Sequence, residues 1–580
     1  MKNKRFIQKL SDIQFDAINT EGNVLLVAIP GSGKTRTLTN KILYEYDEND
    51  VRNIIAITYT NRAADEMRER ILKQLGIIPN NIWIGTIHKF CLDFIIRKYS
   101  RFSKFLSKPF TIIGEDDLQK LKNKLLEKYK LPNDYYIDYT LDIFGNINEK
   151  KHSNYVSDYY KQLLDNRTID FNYILYEAYK ILKENILVTM QISHIISLIC
   201  IDEYQDTQEL QYQIISLIYK QRKEINLFIV GDPNQAIYTS LGGRVKNKQE
   251  LEKLFEDNFI QKQLDCCYRS NQKIINFYRN FCLEDFNMQS GTKKYNKPQI
   301  QIISNINKRE LVTKVKNIIL DLKKDKIPDN EICILAPQWT FLYDFSNQLR
   351  KELPELKFDA PNILPLKRDE ESIIYKISKI LLTTYSFSNK NRVLFIVSEI
   401  KKQLNDEYCI NLDYNSFELL KIIFECKSDN DKATDYLKES LINFFKRLNL
   451  LENFYEKIHD FILDTELRID YYKRFGLEDD RLSLERTLRS REGIVISTAH
   501  SIKGEEYQAV IAFGLLEGYI PHWNSIHNGT AREDSKRLLF VICSRAKERL
   551  FLIAESGRTT KNNNDYLINE DIKHIIEKGY

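Results

Sequence analysis

The sequence predicts an α/β fold with several domains, and three features support that prediction. The chain has 580 residues, which is more than a single hydrophobic core usually organises. Apolar runs that end in a glycine-rich loop or in acidic residues alternate with helical stretches, as in parallel sheets flanked by helices. Hydrophobic residues make up 43% and charged residues 29% of the chain, a composition that favours folded over disordered structure.

The overall charge permits a nucleic-acid partner without requiring one. Lysine and arginine number 86 against 81 acidic residues, a formal net charge of +5, and binding depends on where such charges lie. We find no apolar run long enough to cross a bilayer, and residues 1–6 are not followed by the apolar core of a signal peptide. We therefore expect a cytoplasmic protein that has no membrane partner.

The nine cysteines show no spacing that is typical of a zinc site or an iron–sulfur cluster. Most stand in apolar runs, as Cys200 does within residues 198–201. A small buried side chain in a reducing compartment is the simplest interpretation. We assign the cysteines no chemistry.

The loop between a predicted strand and a predicted helix has the composition of a phosphate-binding loop. Residues 23–27 form the apolar run before it, and residues 36–42 form the helical stretch after it. Small residues let successive backbone N–H groups wrap a phosphate, while Lys34 reaches the β and γ oxygens and Thr35 is a magnesium ligand. Ala28 departs from the generic motif, which has glycine there, so an ordinary glycine-containing turn stays open. The loop consists of Ala28, Ile29, Pro30, Gly31, Ser32, Gly33, Lys34 and Thr35.

Two further predicted strands end in side chains that suit nucleotide hydrolysis. The apolar run 198–201 leads to Asp202, which can hold magnesium, and to Glu203, which can orient and deprotonate the attacking water. The run 227–230 leads to Gln235 and delivers an uncharged donor to the carboxyl edge of the sheet, where ligands bind in open α/β sheets. An acidic pair at a strand end is often merely solvated. The preceding loop is what favours the catalytic interpretation.

Arg545 follows a distant apolar run, residues 538–542, which we predict to be a strand. A lone arginine in such a place is usually a surface residue. Its distance in sequence from the phosphate-binding loop is explained if a second domain folds against the first and inserts the guanidinium at the γ-phosphate. Hydrolysis would then be coupled to domain closure.

With these motifs in this order, the sequence resembles the UvrD/Rep/PcrA-type superfamily 1 DNA helicases over nearly its whole length. In that family an alanine at the head of the phosphate-binding loop is normal, so Ala28 agrees with it. The resemblance implies ATP and Mg²⁺ as cofactors and single-stranded or tailed duplex DNA as the partner. The segments that carry the resemblance are residues 10–18, 28–35, 58–67, 85–90, 264–270, 494–507 and 516–521.

The resemblance also implies roles for individual residues around the nucleotide. Gln14 would bind the edge of the adenine base, Tyr268 would stack on it and Arg36 would cover its other face. Arg269 would contact the γ-phosphate, and Glu506, close to Gly504, matches the family's nucleotide-contacting glutamate. A P-loop kinase or a transport ATPase does not account for residues 268–269, 500–506 and 545 together.

The same resemblance implies a path for single-stranded DNA. Tyr59 and Tyr238 are the aromatic side chains at family positions, and His88 and His500 would contact the strand backbone. Most of the 34 tyrosines and 30 phenylalanines are expected to be core residues, so only the aromatic residues in these motifs are assigned to bases. The full predicted set is Tyr59, Thr60, Asn61, Thr86, His88, Tyr238, Thr498 and His500.

The architecture that follows is two RecA-like domains, each interrupted by a mainly helical insertion. Apolar residues at helical spacing in residues 117–127, and the runs 421–424 and 441–445, support helical insertions. The first RecA-like domain is expected at residues 1–100 plus 191–270, with its insertion at 101–190, and the second at 271–364 plus 492–580, with its insertion at 365–491.

Two functions remain open at this point. The first is an ATP-dependent translocase and helicase that moves 3′ to 5′ along single-stranded DNA and hydrolyses Mg-ATP between the two domains. The second is a DNA-sensing or nucleotide-sensing ATPase that works with a separate nuclease, as in phage-defence systems such as Gabija. A compact second insertion and the lack of aromatic residues in 239–242 and 558–561 motivate the second reading. Repair, replication restart and antiviral defence all stay possible pathways.

Overall fold

The structure is a computed structural model in which the chain divides into two compact units. The first comprises Met1–Ile113, Asp117–Lys308 and Ala499–Tyr580, and the second comprises Gly114–Asp116 and Arg309–Thr498. The residues that the structure describes are 9–131, 137–239, 242–359, 366, 372–383, 390–473, 478–488, 493–521, 525, 529–560 and 563–579.

A six-stranded, wholly parallel sheet in the order β3-β2-β6-β7-β1-β8 organises the first unit. Strand β1 has all six of its residues buried, as expected for a strand that is covered on both faces and reads as a continuous apolar run. The strands predicted at 23–27, 198–201 and 227–230 are confirmed. The six strands are β1 Asn23–Ala28, β2 Asn53–Thr58, β3 Ile82–Thr86, β6 Ile196–Ile201, β7 Asn226–Gly231 and β8 Phe259–Leu264.

Helices cover both faces of this sheet. Along β1, Leu25 and Val27 belong to a buried cluster that includes α8, α9 and α10, whereas Val24 and Leu26 belong to a cluster that includes α2 and α3. The two-residue alternation of a strand thus produces a three-layer core. The helices of the first unit up to residue 278 are α1 Asp12–Asn19, α2 Lys34–Glu45, α3 Asn61–Leu75, α4 Ile87–Phe90, α5 Arg97–Tyr99, α6 Glu115–Lys128 (its first two residues in the second unit), α7 Ser153–Asp165, α8 Phe171–Glu184, α9 Ile186–His194, α10 Glu209–Gln221, α11 Lys248–Phe255 and α12 Gln272–Tyr278.

The first unit also contains parallel strands from the C-terminal part of the chain. Strand β15 (Ala546–Ile553) has all eight residues buried and pairs in parallel with β11 (Gln299–Ile303) and β14 (Tyr507–Ala512). Two short parallel pairs join β4 (Thr111–Ile112) to β5 (Thr168–Ile169) and β9 (Cys266–Cys267) to β10 (Gln289–Ser290). The last helix is α22, Glu570–Glu577.

One element differs from the sequence prediction. Residues 538–542, predicted to be a strand, form the end of a helix, which we number α21 and which spans Ala531–Cys543. A short apolar run does not distinguish a buried strand from a buried helix segment. The charged residues before it extend the segment to helical length, and Glu533 and Asp534 in the first turn suit a helix N-terminus.

The second unit is mainly helical and has its own hydrophobic core, formed by buried residues between Leu366 and Leu484. Strands β12 (Ile332–Ala336) and β13 (Val495–Thr498) pair in parallel within it. Helices are confirmed at 117–127 in the first unit and at 421–424 and 441–445 here, while the domain limits inferred from the sequence stay a prediction. Its helices are α13 Leu311–Lys324, α14 Trp339–Glu352, α15 Ile373–Leu381, α16 Lys390–Tyr408, α17 Ser416–Glu425, α18 Ala433–Arg447, α19 Leu451–Lys473 and α20 Arg481–Leu488. Across the described residues, no helix combines the length and the apolar character needed to cross a membrane.

The main sheet should depend strongly on the aromatic residues in its interior. Phe228 on β7 is fully buried, so Phe228→Ala is expected to lower the free energy of unfolding by about 3–5 kcal/mol. Phe144 is 70% exposed, and Phe144→Ala should change it by less than about 0.5 kcal/mol. Denaturant unfolding of both variants checks this, and equal losses would contradict the proposed core.

Candidate functional site

Two glycines in the loop between β1 and α2 adopt the left-handed conformation that favours glycine. Gly31 has φ +72° and Gly33 has φ +86°. A Cβ atom at Gly31 would lie 2.5 Å from the Cβ of Arg269, and one at Gly33 would lie 2.8 Å from Nε2 of Gln14. Arg269 and Gln14 can therefore lie this close to the loop only because Gly31 and Gly33 have no side chains.

The N-terminus of α2 suits an anion. Gly33 is its N-cap, and no side chain among the described residues caps the helix. The hydroxyl and the backbone N–H of Ser32 both donate to the carbonyl of Ile29, over 2.8 Å and 3.3 Å, whereas the N–H groups in the first turn of α2 have no acceptor within the helix. Lys34 and Thr35 occupy the first turn. The cradle fits the phosphates of a nucleotide, and Thr35 supplies an oxygen of the kind that Mg²⁺ prefers.

Gln14 joins the first helix to this loop. Its Nε2 donates to the carbonyl of Ser32 over 2.9 Å, and its Oε1 accepts from the backbone N–H of Ser11 over 3.1 Å. Only 3% of Gln14 is exposed. The residue predicted to bind adenine thus lies at the loop and also closes a capping box on α1.

Tyr268 and Arg36 both follow this loop in sequence, Arg36 directly and Tyr268 from a distant part of the chain. The backbone N–H of Tyr268 donates to the carbonyl of Gly31 over 2.9 Å, while its side chain is 44% exposed. The guanidinium of Arg36 donates to the carbonyl of Lys9. An exposed ring anchored to the loop is suited to stacking on a planar base.

The predicted acidic pair stands at the carboxyl end of β6, as expected. Burial, aided by the neighbouring Glu203, raises the pKa of Asp202 to about 8. Burial also opposes the ionisation of Glu203, but Lys34 and Lys503 outweigh it and lower its pKa. Burial thus favours the protonated form of Asp202, while the nearby lysines favour the ionised form of Glu203. A divalent cation bound to Asp202 would stabilise both carboxylates in the ionised form, so the donor set fits Mg²⁺.

Arg545 is a buried residue of the first unit and not a surface arginine. It is 1% exposed, and its Nη2 donates to Oε1 of Gln235 over 2.8 Å. Gln235 in turn donates from Nε2 to Oδ2 of Asp232 over 2.6 Å. Burial, followed by the charge of Arg269, lowers the pKa of Arg545 to about 9. Residues 310 positions apart thus form one polar chain at the end of β7.

Arg269 belongs to the same group of charges. Its Nε donates to Oε2 of Glu506 over 2.7 Å, and its Nη1 donates to the carbonyl of Ser544 over 3.0 Å. Burial opposes the ionisation of Glu506, but Arg269 prevails and lowers its pKa. Gly504 has φ +91° with open space where a Cβ would lie. The structure therefore brings Arg269, Glu506 and Arg545 together.

The two tyrosines predicted to face bases lie against each other. The rings of Tyr59 and Tyr238 stack with centroids 4.8 Å apart and planes at 24°. The hydroxyl of Tyr238 donates to the carbonyl of His500 over 3.2 Å. Thr60 caps α3, and Asn61 is the first residue of that helix. Tyr59, Tyr238 and His500 thus form one partly exposed aromatic group at the carboxyl edge of the main sheet.

Thr86 and His88 follow β3 at the same edge of the sheet. Thr86 caps α4, and burial lowers the pKa of His88 to about 4, which keeps its ring neutral at physiological pH. The ring of Phe171, 52% exposed, lies 5.1 Å from that of His88. The sequence analysis missed Phe171; its place directly after a capping aspartate is a weak signal. Thr498 ends β13 in the second unit and is buried.

Lys503 was also missed, although it stands between two predicted residues. It forms an ion pair with buried Asp206 and donates to the carbonyl of Gln235 over 2.8 Å. Its Nζ lies 5.1 Å from the centroid of the Tyr238 ring. A second missed ion pair joins Arg62 to Glu505. The position of Lys503 three residues after His500 is the only signal that the sequence offers.

Comparison with known proteins identifies the family of both domains. The model of the UvrD/REP helicase N-terminal domain matches residues 10–141 and 138–256, and that of the UvrD-like helicase C-terminal domain matches residues 370–557. Together with the parallel sheets, these matches confirm the expected α/β class with two RecA-like domains.

Similar proteins share this assignment over most of their length. ATP-dependent DNA helicase PcrA of Staphylococcus aureus (strain Mu50) is 25% identical over 618 aligned positions, which cover 94% of this chain and 83% of that protein. ATP-dependent DNA helicase PcrA of Staphylococcus epidermidis (strain ATCC 35984) is 24% identical over 628 positions, covering 95% and 84%. The chain therefore belongs to the UvrD/Rep/PcrA type of superfamily 1 DNA helicases.

Proposed function

We propose that this ATP-hydrolysing DNA helicase moves along single-stranded DNA from 3′ to 5′, hydrolyses Mg-ATP at its phosphate-binding loop and separates duplex DNA ahead of it. The observation that carries the proposal is the hydrogen bond between Arg545 and Gln235. It places an arginine from the C-terminal part of the chain at the sheet edge that holds the acidic pair, as a nucleotide-sensing contact requires.

In this proposal the loop residues bind ATP, and each neighbouring side chain has a separate task. The backbone N–H groups at the start of α2 hold the phosphates, and Lys34 neutralises their charge. Thr35 and Asp202 would hold Mg²⁺, which would supply positive charge beside the phosphates. Tyr268 stacks on the adenine.

The hydrolytic step depends on residues around the γ-phosphate position. Glu203 accepts a proton from the attacking water and orients it, which its lowered pKa favours because an ionised carboxylate is needed. Arg269 and Arg545 stabilise the charge that develops on the γ-phosphate. Arg545 already donates to Gln235, so a movement of Arg545 when the phosphate changes would also shift Gln235 and Asp232.

Lys503 links that chain to the proposed DNA path. It contacts Asp206 and the carbonyl of Gln235 on one side and lies over the ring of Tyr238 on the other. Binding of a base against Tyr238 would therefore move Lys503 and change its hydrogen bond to the carbonyl of Gln235. This contact is a physical route by which DNA would stimulate hydrolysis.

A second candidate function has one observation in its favour. Thr239, which follows Tyr238, donates its hydroxyl to Asp534 over 3.2 Å and offers no ring to a base. A DNA path with fewer aromatic side chains for stacking suits an ATPase that senses DNA or nucleotide and works with a partner nuclease in antiviral defence. Such a subunit would hydrolyse ATP but unwind little DNA by itself.

Replacing the proposed base should separate hydrolysis from binding. We expect Glu203→Gln to lower the DNA-stimulated turnover of ATP by about two to four orders of magnitude, because the water loses its proton acceptor. Nucleotide binding should persist, since the phosphate contacts stay. Steady-state ATP hydrolysis and fluorescent nucleotide binding measure the two effects, and turnover at the wild-type rate would contradict the role of Glu203.

The aromatic group should contribute to single-strand affinity. Tyr59→Ala removes a stacking surface worth about 1–3 kcal/mol per base, so we expect binding of oligo-dT to weaken by about 5-fold to 150-fold. Tyr455 on α19 is 52% exposed and serves as a matched control, because Tyr455→Ala should leave the affinity unchanged. Fluorescence anisotropy decides, and equal affinities for the two variants would rule out base contacts at Tyr59.

Unwinding assays with two tailed duplexes test polarity and autonomy together. A 3′ to 5′ helicase separates the strands of a 3′-tailed duplex and leaves a 5′-tailed duplex intact. Preference for the 5′ tail would overturn the proposed direction. ATP hydrolysis without unwinding of either duplex would favour the partner-dependent subunit.

A further inference from the structure

Residues 97–108, which we call the basic segment, form a strongly cationic stretch that follows His88 in the chain. Five cations lie in this segment, and each of them is exposed. No acidic residue occurs between Asp93 and Glu115, so the positive field is not offset within the segment. The five are Arg97, Lys98, Arg101, Lys104 and Lys108.

The C-terminal part of the basic segment is held in place by a side chain from elsewhere. Arg167 donates to the carbonyls of Phe105 over 2.7 Å, Lys108 over 2.8 Å and Pro109 over 3.1 Å. The hydroxyl of Ser103 accepts two further backbone N–H groups inside the loop. These contacts use backbone groups of the segment, and the side chains of Lys104 and Lys108 stay exposed. A loop fixed in this way loses little entropy when it binds a ligand.

The basic segment adjoins the end of the aromatic path. The ring of Phe105 packs against Tyr173 with centroids 5.8 Å apart, and Tyr173 lies in the first turn of α8. The first residue of that helix is Phe171, whose ring lies 5.1 Å from His88. The basic segment therefore packs against the same helix that begins at Phe171, beside His88.

Three of the five cations are suited to an external anion. Arg97 already pairs with Asp93 over 2.6 Å, and Lys98 lies over the ring of Phe94. Arg101, Lys104 and Lys108 form no ion pair within the described part of the chain. Arg101 lies 5.1 Å over the ring of Phe102, which is 42% exposed. Cations beside exposed rings are typical of sites for a single-strand backbone.

We propose that the basic segment binds phosphates of the DNA strand beyond His88 and Phe171 and so extends the path by a second, purely electrostatic contact. This inference rests on the proposed function, because it requires single-stranded DNA in the aromatic path. Each phosphate neutralised on a single strand releases counterions and adds about 0.7 to the salt dependence of binding. The contact is therefore measurable as a slope.

The test replaces Arg101, Lys104 and Lys108 by glutamine in the full chain. Binding of fluorescent oligo-dT is followed by anisotropy over a range of salt concentrations and of oligonucleotide lengths. We expect the plot of log affinity against log salt concentration to become shallower by about 2 for long oligonucleotides, with affinity about tenfold lower at low salt. Short oligonucleotides that fill only the aromatic path should bind with unchanged slope.

A matched control removes three cations elsewhere. Lys421, Lys438 and Lys446 are exposed residues of the second unit, and changing them to glutamine alters the net charge equally. The control should keep the wild-type slope. If both triple variants lose the same amount of salt dependence, net charge alone explains the effect and the proposed site is wrong. An unchanged slope in the basic-segment variant, with wild-type hydrolysis stimulated by DNA, would overturn the site alone. Absence of any stimulation in the wild type would instead remove the proposed function and the site with it.

Discussion

The buried hydrogen bond between Arg545 and Gln235 is the contact on which the rest of the site depends. A guanidinium that is removed from water is stable only if its donors are satisfied, and here they reach Gln235, the carbonyls of Glu505 and Val541, and Ser544. Because Gln235 also holds Asp232, the contact fixes two parts of the chain in one arrangement. The loop after β1, the acids after β6 and the segment around Arg269 converge on the same place.

Much of this site was predictable, because its chemistry lies at the ends of strands. Apolar runs predicted β1, β6 and β7, and polar residues directly after such runs meet at one edge of a parallel sheet. The pattern located Lys34, Asp202 and Gln235 near one another. It did not reveal Lys503, whose importance comes from the burial of its partner Asp206 and from the ring of Tyr238, which no local pattern records.

The errors and omissions have physical causes of the same kind. Residues 538–542 were predicted to be a strand because burial on all sides removes the amphipathic signal that marks a helix. The structure describes a helix there, and the strand begins later, at Ala546. Phe171 was overlooked because an exposed aromatic residue at a helix start is unremarkable in sequence. Its relation to His88 exists only through tertiary contact, and the stacking of Tyr59 on Tyr238 is a similar case.

The low pKa of Arg545 limits which side chain can serve at this position. Burial and the neighbouring Arg269 lower its pKa to about 9, yet an arginine in that setting is still protonated at neutral pH. Lysine begins from a lower intrinsic pKa, and the same desolvation would carry its ammonium group toward the neutral amine. Arginine therefore suits this position because its guanidinium stays charged and because it has several hydrogen-bond donors. Arg545→Lys would be a conservative substitution by residue type, yet it would remove the positive charge from this position.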